Sequence, residues 1–415
     1  MREMTTDISW ASPYYDLMDL VLLRAITSIH AGTGRAGGTV DLPIQRDEYD
    51  YPCIYSSSIK GALKTALLHA FAKTPGSDYE KARGAVQALL GSDPEEGESF
   101  ESSIAILDAY LLAIPTRSLK GVYAYLTSPF LLKRFYERLE QFKTNLGDRE
   151  EQKLEKPETG SGTDKSGGEP TQQDPLKSLM DALKKIVDKE PEPDRVICFG
   201  EKKDCEGLKV PIQGGRVVLA EEFVLGLNYE QIEQVIINFL RNVLRLDRPL
   251  LIASDEIAKE IIDRSLIRYT RVKLRRETKT VETGGLWTEE YLPPKALLYT
   301  LMMYKKPSLS STFVKRVIGK DPDQGGMINE DDYLEALKTL NLLKEDDVKK
   351  IKGAGRTQDK LHIIVRAIEM KTRSMVAEQL KGYLILGGHE TIGKGIVKLE
   401  TFDGGSLVKH LRGGQ

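Results

Sequence analysis

The stretch of residues 30–61 constrains the fold more than any other part of the chain. It follows a short apolar run, residues 20–26, which has the length of a buried strand. It begins with a loop that holds four glycines, and it ends in a predicted helix that starts at the serines of residues 56–58. A glycine loop lets the backbone approach a ligand closely, and a helix start offers unpaired N–H groups to an anion. The stretch therefore predicts a site for a phosphate backbone.

The charged side chains of this stretch support the same prediction. Arg46 follows the glycine loop, and Lys60 and Lys64 lie one helical turn apart on the predicted helix. Asp41 also follows the loop, so a carboxylate would lie beside the bound phosphates. The alternatives are that Asp41 is a solvated loop residue and that His30 is a packed histidine at the end of a strand.

The sequence nearly matches two nucleotide-binding motifs, but each match lacks a feature that nucleotide binding requires. The first loop contains a G-x-G-x-x-G pattern, but Pro43 follows where a dinucleotide-binding motif requires a helix. The loop of residues 387–395 has the glycine and lysine spacing of a P-loop, but a glycine replaces the magnesium-binding Ser or Thr. Both loops carry a cation, Arg35 or Lys394, and suit backbone contact with a polyanion. The alternative is that they are only tight turns.

Composition limits the classes of protein that the chain can represent. Its 415 residues are 40% hydrophobic and 29% charged, as in soluble globular proteins, and are enough for one large domain with insertions. The net charge of −2 excludes a general attraction to nucleic acid, so any such surface must be a local patch. The three cysteines predict no disulfide and no zinc site. No signal peptide or membrane span is evident, which predicts a cytoplasmic protein.

The pattern along the chain predicts a single α+β domain. Residues 145–193 read as a largely disordered insertion, because 147–174 contain almost nothing to bury, although 176–187 suggest a short helix. A second insertion, residues 308–380, reads as helical. The other predicted helices cover 56–74, 78–90, 229–246 and 254–262, with one more starting at 129. The predicted strands cover 104–113, 122–126, 195–199, 216–225, 382–386 and 396–402, with a turn at 116–118.

Residues 265–306 have the pattern of a long β-hairpin. Apolar positions alternate on both arms, and a glycine pair, Gly284 and Gly285, lies between them. The first arm is strongly basic, with only one acid, Glu277, among six cations; these are Arg268, Arg271, Lys273, Arg275, Arg276 and Lys279. Such an excess of cations is unusual for a solvated face, which is the alternative to a surface that binds a polyanion. The second arm carries Glu289, Glu290 and Tyr291, and the alternative is that these are ordinary residues of an exposed hairpin. It also carries Trp287, a residue type that more often lies in a core than stacks on a base.

Several motifs in a fixed order resemble one known family. They are Gly38-Thr39-Val40-Asp41-Leu42-Pro43-Ile44-Gln45-Arg46, Ser58-Ile59-Lys60-Gly61, Asp108-Ala109-Tyr110-Leu111-Leu112, Pro115-Thr116-Arg117-Ser118-Leu119-Lys120-Gly121, Val218-Leu219-Ala220-Glu221-Glu222, Gly285-Leu286-Trp287-Thr288-Glu289-Glu290-Tyr291-Leu292-Pro293 and the last glycine loop. Together they resemble the backbone subunit of Cmr (type III-B) CRISPR effector complexes, a family of the RAMP superfamily. The resemblance covers most of the chain outside 145–193 and 308–380.

This resemblance implies a modified ferredoxin-like (RRM-like) palm and a β-hairpin thumb, with several copies stacked along a CRISPR RNA. Asp41 matches the family's aspartate for metal-dependent cleavage of target RNA, with Mg²⁺ or Mn²⁺ as the expected cofactor. His30, Glu289 and Tyr291 match its helper residues. The residues predicted to bind RNA are Arg35, Arg46, Ser58, Lys60, Lys64, Arg117, Arg271, Lys273, Arg275, Arg276, Gly387, Gly388 and Lys394.

The implied partners are CRISPR RNA, target RNA, further copies of the chain in a filament, and other Cmr subunits. The last group comprises the large polymerase-like subunit, the small helical subunit and capping RAMP subunits, and no membrane is expected. RNA carries its own nucleophile, the 2′-hydroxyl, so cleavage requires mainly that it be aligned with the phosphate. Asp41 would bind the metal or accept the hydroxyl proton, and His30 or Tyr291 would stabilise the phosphorane or protonate the leaving oxygen. The rival hypotheses are a non-catalytic RNA-binding scaffold and the equivalent type III-A subunit.

Overall fold

The computed structural model of the chain describes residues 15–36, 38–92, 100–154, 174–211, 215–321 and 328–413. For residues 146–154 it describes the backbone only. Among the described residues, no helix combines the length and the apolar composition that crossing a membrane requires.

The described backbone alternates between strands and helices. The strands are β1 (Leu17–Ala25), β2 (Cys53–Ile54), β3 (Ile104–Ile106), β4 (Ala109–Ser118), β5 (Val122–Thr127), β6 (Arg195–Phe199), β7 (Arg216–Leu219), β8 (Phe223–Tyr229), β9 (Leu250–Ala253), β10 (Ile267–Leu274), β11 (Val281–Tyr291), β12 (Leu297–Tyr304), β13 (Tyr383–Ile385) and β14 (Ile396–Phe402). The α-helices are α1 (Ser56–Ala72), α2 (Tyr79–Leu90), α3 (Pro129–Leu154), α4 (Pro175–Val187), α5 (Lys202–Glu206), α6 (Gln234–Asn238), α7 (Asp255–Ser265), α8 (Ser311–Val317), α9 (Glu330–Thr339), α10 (Glu345–Gly353), α11 (Thr357–Ser374) and α12 (Gly404–Leu411). This confirms a mixed α+β fold.

One large sheet connects most of the strands. Its first part has the order β13-β14-β1-β12-β4, and β1 pairs antiparallel with both β12 and β14. In its second part, β4, β5, β9, β6, β8 and β7 follow one another, and a pairing of Ser118 with Leu219 joins β7 back to β4. The second part is therefore a closed, barrel-like ring, and β4 belongs to both parts.

The central strand β1 is buried on both faces, as its nearly continuous apolar sequence requires. Leu20 and Leu22 pack in a core formed with α3, α4, α6 and α12. Val21 and Leu23 point the other way, into a larger core formed with α1, α2, α7 and the helices of the C-terminal half. Because successive side chains of a strand point to opposite faces, helices cover this sheet on both sides.

Most of the predicted elements near the N-terminus are present. The helix after the serines, the helix capped by Asp78, and the returning strand β5 all lie within a few residues of their predicted positions. The predicted helical character of 308–380 is confirmed by α8 to α11, which a π-helix (Met375–Gln379) extends. The predicted short helix before residue 188 is α4.

Two predicted boundaries between strands are wrong. The residues of the predicted turn, 116–118, belong to β4, and the chain reverses at 119–121 instead. Pro115 does not end the strand, because the pairing with β5 continues through it opposite Tyr125. The predicted strand 216–225 is two strands, separated by a turn at Ala220 and Glu221, whose φ angles are 46° and 65°. This turn has no glycine or proline, so no local signal in the sequence marks it.

Two further predictions need correction. The helix expected over 229–246 begins only at Gln234, because β8 extends to Tyr229, and it continues as a π-helix (Phe239–Val243). Residues 147–154, predicted to be disordered, continue α3, because a helix of polar residues with good helix propensity does not need a buried face at every turn. The rest of the predicted disorder, 155–173, lies outside the described residues.

The prediction that the cysteines form no disulfide is wrong. Cys198 of β6 and Cys205 of α5 are bonded, with their Cα atoms 6.0 Å apart. The chain turns back between them, so a separation of seven residues brings the two side chains together. Cys53 is a free, buried thiol.

The hairpin is shorter than predicted and turns elsewhere. Its arms are β10 and β11, whereas β12 lies in the large sheet between β1 and β4. The turn lies between Leu274 and Val281, and the two glycines are inside β11. A side chain at Gly285 would approach the Lys273 carbonyl to 3.0 Å, beside an irregularity in the strand register. The glycine pair therefore accommodates a bulge instead of making the turn.

Candidate active site at the base of the hairpin

The loop after β1 lies along the second strand of the hairpin. The Leu42 amide donates to the Thr288 carbonyl at 3.0 Å, and the Glu290 amide donates to the Leu42 carbonyl at 3.0 Å. Ile29 pairs with Leu292 in a further bridge. These backbone bonds fix both ends of the glycine loop against β11, so residues distant in sequence meet at the base of the hairpin.

Asp41 is positioned by this pairing. Its Oδ2 accepts a hydrogen bond of 2.8 Å from the Thr288 amide, one residue before Glu289. The side chain is half-buried, and the structure records no hydrogen bond to Oδ1 from the described residues. One carboxylate oxygen is therefore fixed by the protein, while the other remains available to a ligand.

His30 is buried next to the same strand. Its Nδ1 lies 2.7 Å from the Glu290 carbonyl oxygen, and a carbonyl can only accept, so Nδ1 carries a proton. The other nitrogen, Nε2, lies beside Gly32, where an added Cβ would come within 2.7 Å of it. Glycine at position 32 thus leaves Nε2 uncovered, which explains one glycine of the loop by space and not by backbone conformation.

Glu289 is the centre of a hydrogen-bonded cluster. Its carboxylate accepts bonds from Arg271 Nε at 2.9 Å, from Trp287 Nε1 at 2.8 Å and from the Tyr291 hydroxyl. His389 Nε2 lies 3.6 Å from Oε1. Burial alone would raise the pKa of Glu289, but the bonds from Tyr291, Trp287 and Arg271 outweigh it and hold the pKa at about 2. Glu289 is therefore a permanent anion near neutral pH.

Tyr291 is fully buried, and its hydroxyl is occupied. It donates to Glu289, and it accepts a bond of 3.3 Å from Arg271 Nη2. Burial and the neighbouring Glu289 carboxylate raise the pKa of Tyr291, so the phenol stays protonated. Because its proton is directed at Glu289, Tyr291 is suited to holding the cluster together and not to donating a proton to a ligand.

The last glycine loop closes the other side of the site. The Gly388 amide donates to the His30 carbonyl at 2.9 Å, and the Gly395 amide donates to the Ser28 carbonyl at 2.9 Å. Gly387 has a φ of 80°, and a side chain there would collide with the backbone of His30. Lys394 reaches over the rings of Tyr269 and Tyr291, at 5.2 Å and 5.3 Å. The two glycine loops therefore meet around His30.

A second carboxylate, Glu290, anchors the opposite face of β11. Arg46 Nη2 and Arg268 Nη2 lie 3.2 Å and 3.0 Å from its Oε1, and both arginines also reach Asp263 at the end of α7. Arg46, predicted to bind RNA, is thus engaged in an internal ion network. Neither Glu290 nor Asp263 was predicted to have this role; the basic first arm, which includes Arg268, was the signal that could have pointed to acidic partners.

Four of the other predicted RNA-binding residues lie on α1 and in the first glycine loop. Ser58, Lys60 and Lys64 are on the first turns of α1, where burial, with a contribution from Lys64, lowers the pKa of Lys60. Ser58 accepts a bond from Gln45 at 3.0 Å, which ties the helix start to the loop after Asp41. Arg35 is exposed in the first glycine loop.

The remaining predicted cations differ in how far they are already paired. Arg117 is exposed and holds Glu221 through two bonds of 2.6 Å and 2.8 Å. Lys273 pairs with Glu282 at 2.7 Å. Arg275 and Arg276 are exposed at the tip of the hairpin. Of the predicted catalytic residues, His30, Glu289 and Tyr291 form one cluster, and Asp41 is tied to the same strand.

The described residues do not form a metal site of their own. No group of three or more His, Cys, Asp or Glu side chains among them is arranged to hold an ion. Asp41 offers one carboxylate, and one of its oxygens already accepts the Thr288 amide. A divalent cation at Asp41 would need most of its ligands from phosphate oxygens and water, as Mg²⁺ bound beside phosphates commonly does.

Known proteins similar to this chain identify its family. The RAMP superfamily profile matches residues 22–398. The CRISPR system CMR subunit Cmr4 of Saccharolobus solfataricus is 31% identical over 410 residues, 93% of this chain and 97% of that protein. The CRISPR system Cmr endoribonuclease Cmr4 of Pyrococcus furiosus is 30% identical over 304 residues, 72% of this chain and 87% of that protein. The chain therefore belongs to the RAMP superfamily and, within it, to the Cmr4 family.

Two solved structures have a similar fold over nearly the whole chain. A chain of the type III-B Cmr-beta complex in its apo state, solved by cryo-EM, has a TM-score of 0.57 and 25% identity, covering 94% of this chain and 98% of that one. A chain of the Cmr-beta complex bound to cognate target RNA has a TM-score of 0.55 and 26% identity, covering 96% of this chain and 100% of that one.

Proposed function

We propose that the chain is the backbone subunit of a type III-B CRISPR effector complex and cleaves target RNA bound to the CRISPR RNA. The Cmr4 relatives, one of them named an endoribonuclease, and the chain of similar fold in a complex bound to target RNA support this function. The observation that carries it is the convergence of Asp41, His30 and the Glu289 cluster on β11, between two glycine loops.

The reaction needs little more than alignment and proton transfer. The 2′-hydroxyl of the target RNA attacks its own phosphate once it is held in line with the leaving 5′-oxygen. Asp41 presents Oδ1 and accepts the hydroxyl proton, and the product is a cyclic phosphate. His30 presents Nε2 through the gap at Gly32 as a second group that contacts the reacting nucleotide. Glu289 and Tyr291 keep Arg271 and the loop of His389 in place.

The fold suggests how the RNA is carried. The large sheet serves as the palm, a modified ferredoxin-like unit, and the β10–β11 hairpin serves as the thumb that interrupts the duplex. The guide phosphates follow α1, with Lys60 and Lys64, and the exposed glycine loops. Further copies of the chain stack along the guide, and the polymerase-like, small helical and capping subunits complete the complex.

Asp41 is also the residue that would bind Mg²⁺ or Mn²⁺. A bound cation would neutralise charge that develops on the phosphate oxygens. Because the chain supplies a single carboxylate, such a cation would be shared with the RNA. Cleavage by the assembled complex, measured after EDTA treatment and after restoring each metal, tests this role; undiminished cleavage in EDTA would contradict it.

The decisive experiment replaces Asp41 with asparagine in the assembled complex. Asp41→Asn keeps an oxygen to accept the Thr288 amide but removes the charge, so we expect unchanged assembly and target binding with cleavage reduced by about 10³-fold or more. Asp50→Asn, the same substitution at an exposed position nearby, is the matched control.

The outcome also separates the rival functions. A non-catalytic scaffold would bind target RNA without cleaving it in the unsubstituted complex, and Asp41→Asn would then have no cleavage to remove. If binding and cleavage fell together, Asp41 would be a structural residue. The two relatives are Cmr proteins, and the structures of similar fold come from a type III-B Cmr-beta complex, which favours this system over its type III-A equivalent.

A further inference from the structure

His389 lies inside the active-site cluster, although nothing in its sequence context marked it. Its ring centroid is 5.2 Å from that of His30 and 6.0 Å from that of Tyr291. Its Nε2 faces Glu289 Oε1 at 3.6 Å, and its Nδ1 makes no hydrogen bond to the described part of the chain. The side chain is 30% exposed, so it is the histidine of this pair that solvent reaches more easily, since His30 is 7% exposed.

The backbone at His389 is held in an unusual conformation. Its φ of 66° is in the left-handed region, which costs a non-glycine residue energy, and the neighbouring Gly387 has a φ of 80°. The Ile392 and Lys394 amides both donate to the His389 carbonyl, at 3.1 Å and 3.2 Å. These bonds keep the conformation, which directs the imidazole toward β11 instead of into solvent. Strained positions of this kind cluster at functional sites.

The other groups of the cluster are poor donors of a proton. Glu289 is ionised, and the Tyr291 proton is directed at Glu289. His30 Nδ1 donates to a backbone carbonyl, and the residue is only 7% exposed, so its bound proton is directed away from a ligand. If His389 Nε2 had no proton, its lone pair would point at the negative Glu289 carboxylate, which is unfavourable. Nε2 therefore carries a proton, and Nδ1 is the nitrogen that can exchange a proton with a ligand.

We propose that His389 is the catalytic residue that donates a proton to the leaving 5′-oxygen during target cleavage, with Glu289 as its positioning residue. This role rests on the proposed function of the chain. The O2′–P bond forms as the P–O5′ bond breaks, and the electron pair of the broken bond stays on O5′. The Nδ1 proton of the imidazolium moves to O5′, and the 2′-hydroxyl proton goes to Asp41. The ring is left neutral, with Nε2–H still facing Glu289.

The test compares two target RNAs in the assembled complex. One is unmodified, and the other carries a 5′-bridging phosphorothiolate at the cleavage position, whose sulfur leaves without being protonated. His389→Asn is the main variant, because asparagine tolerates a positive φ but cannot act as an acid. With unmodified RNA we expect cleavage to fall by about 100-fold while target binding is unchanged. With the phosphorothiolate we expect the variant to cleave as fast as the unsubstituted complex.

Two further variants test whether the effect comes from the loss of the imidazole at position 389. His389→Gly relieves the backbone strain and removes the imidazole, so it must behave like His389→Asn if the ring is what matters. His410→Asn, on α12 and outside the cluster, is the matched control and should leave both rates unchanged. An equal defect on both RNAs would overturn the proposal and assign His389 a structural role, and so would unchanged cleavage of the unmodified RNA. Absence of cleavage by the unsubstituted complex would instead contradict the proposed function itself.

Discussion

Two pairs of acidic residues are buried in this protein, and their environments are opposite. Glu289 and Glu290 lie at the base of the hairpin, and Asp19 and Glu369 lie where α11 packs near β1; all four are at most 1% exposed. The hairpin glutamates are surrounded by donors, with Arg271, Trp287 and Tyr291 on one, and the two arginines at positions 46 and 268 on the other.

The second pair has fewer donors than oxygens. Tyr304 donates to Asp19 Oδ2 at 3.0 Å, and Arg373 is 3.8 Å from the same oxygen. Within the described residues, Asp19 Oδ1 and Glu369 Oε1 have no hydrogen-bond partner. Burial, and then the neighbouring Glu369, raise the pKa of Asp19 to about 7, whereas the pKa of Glu289 is held at about 2. Glu289 and Asp19 are similarly buried, but Glu289 stays ionised whereas Asp19 retains its proton to a higher pH. The difference follows from the number of hydrogen-bond donors around each carboxylate.

The largest effect is expected at Glu290. In Glu290→Gln, Arg46 and Arg268 lose the buried anion that they share, so we expect the free energy of unfolding to fall by about 3 kcal/mol. Denaturant unfolding of the isolated chain measures it. Glu282→Gln, which removes the partner of the exposed Lys273, is the control and should cost well under 1 kcal/mol. A similar small cost at Glu290 would mean that Asp263 alone suffices for the two arginines.

The next effect is a pH dependence of stability caused by Asp19. Its pKa is higher in the folded than in the unfolded chain, so the folded state binds the proton more tightly. The stabilisation is complete below about pH 4 and is lost as pH rises through about 7. Relative to Asp19→Asn, the unsubstituted chain should lose unfolding free energy between pH 4 and pH 8, at up to about 1.4 kcal/mol for each pH unit. Parallel pH profiles for the two proteins would show that donors other than Tyr304 and Arg373 hold the carboxylate ionised.

The sequence allowed the individual elements to be predicted better than their pairing. Helix α1, strand β5 and the final strands are each marked by local patterns, namely a run of serines, an apolar run and a glycine loop. The turn at 220–221 and the position of β12 between β1 and β4 are set by contacts between distant segments. No window of the sequence contains that information, since strand order depends on which faces can be buried together.

Most residues of the candidate site were predicted from the sequence, but the contacts between them were not. His30, Glu289 and Tyr291 do meet, yet the difference between Glu289 and Glu290 could not be seen from two adjacent glutamates. Strand alternation places them on opposite faces, and only the folded structure shows which face holds which arginine. No role was predicted for His389, because its position in the cluster depends on a left-handed backbone conformation. The presence of a histidine in a glycine loop does not indicate that conformation.

A third prediction separates the two hairpin glutamates by function. Glu289→Gln keeps the shape of the side chain but weakens its hold on Arg271, Tyr291 and His389. We expect target cleavage by the assembled complex to fall by about 10- to 100-fold, equivalent to about 1.4–2.7 kcal/mol, with little change in target binding. Single-turnover cleavage and a binding titration on the same complex measure the two quantities. A decrease in binding that matches the decrease in cleavage would place Glu289 with Glu290, as a purely structural residue.

The smallest effect is expected at the tip of the hairpin, where the cations lack the buried carboxylates of the base. Arg275 and Arg276 are exposed, whereas Arg271 is bound to Glu289 and Tyr291. Replacing both tip arginines with alanine should weaken RNA binding several-fold and lower the slope of log affinity against log salt by somewhat under one unit for each phosphate that the tip no longer neutralises. Arg271→Ala is the comparison variant: it should reduce cleavage while leaving the salt slope nearly unchanged, because its charge already neutralises Glu289. The chain's net charge of −2 provides little background attraction that would hide the difference. If the tip variant kept the original slope and Arg271→Ala lowered it, the RNA would contact the base of the hairpin instead of its tip.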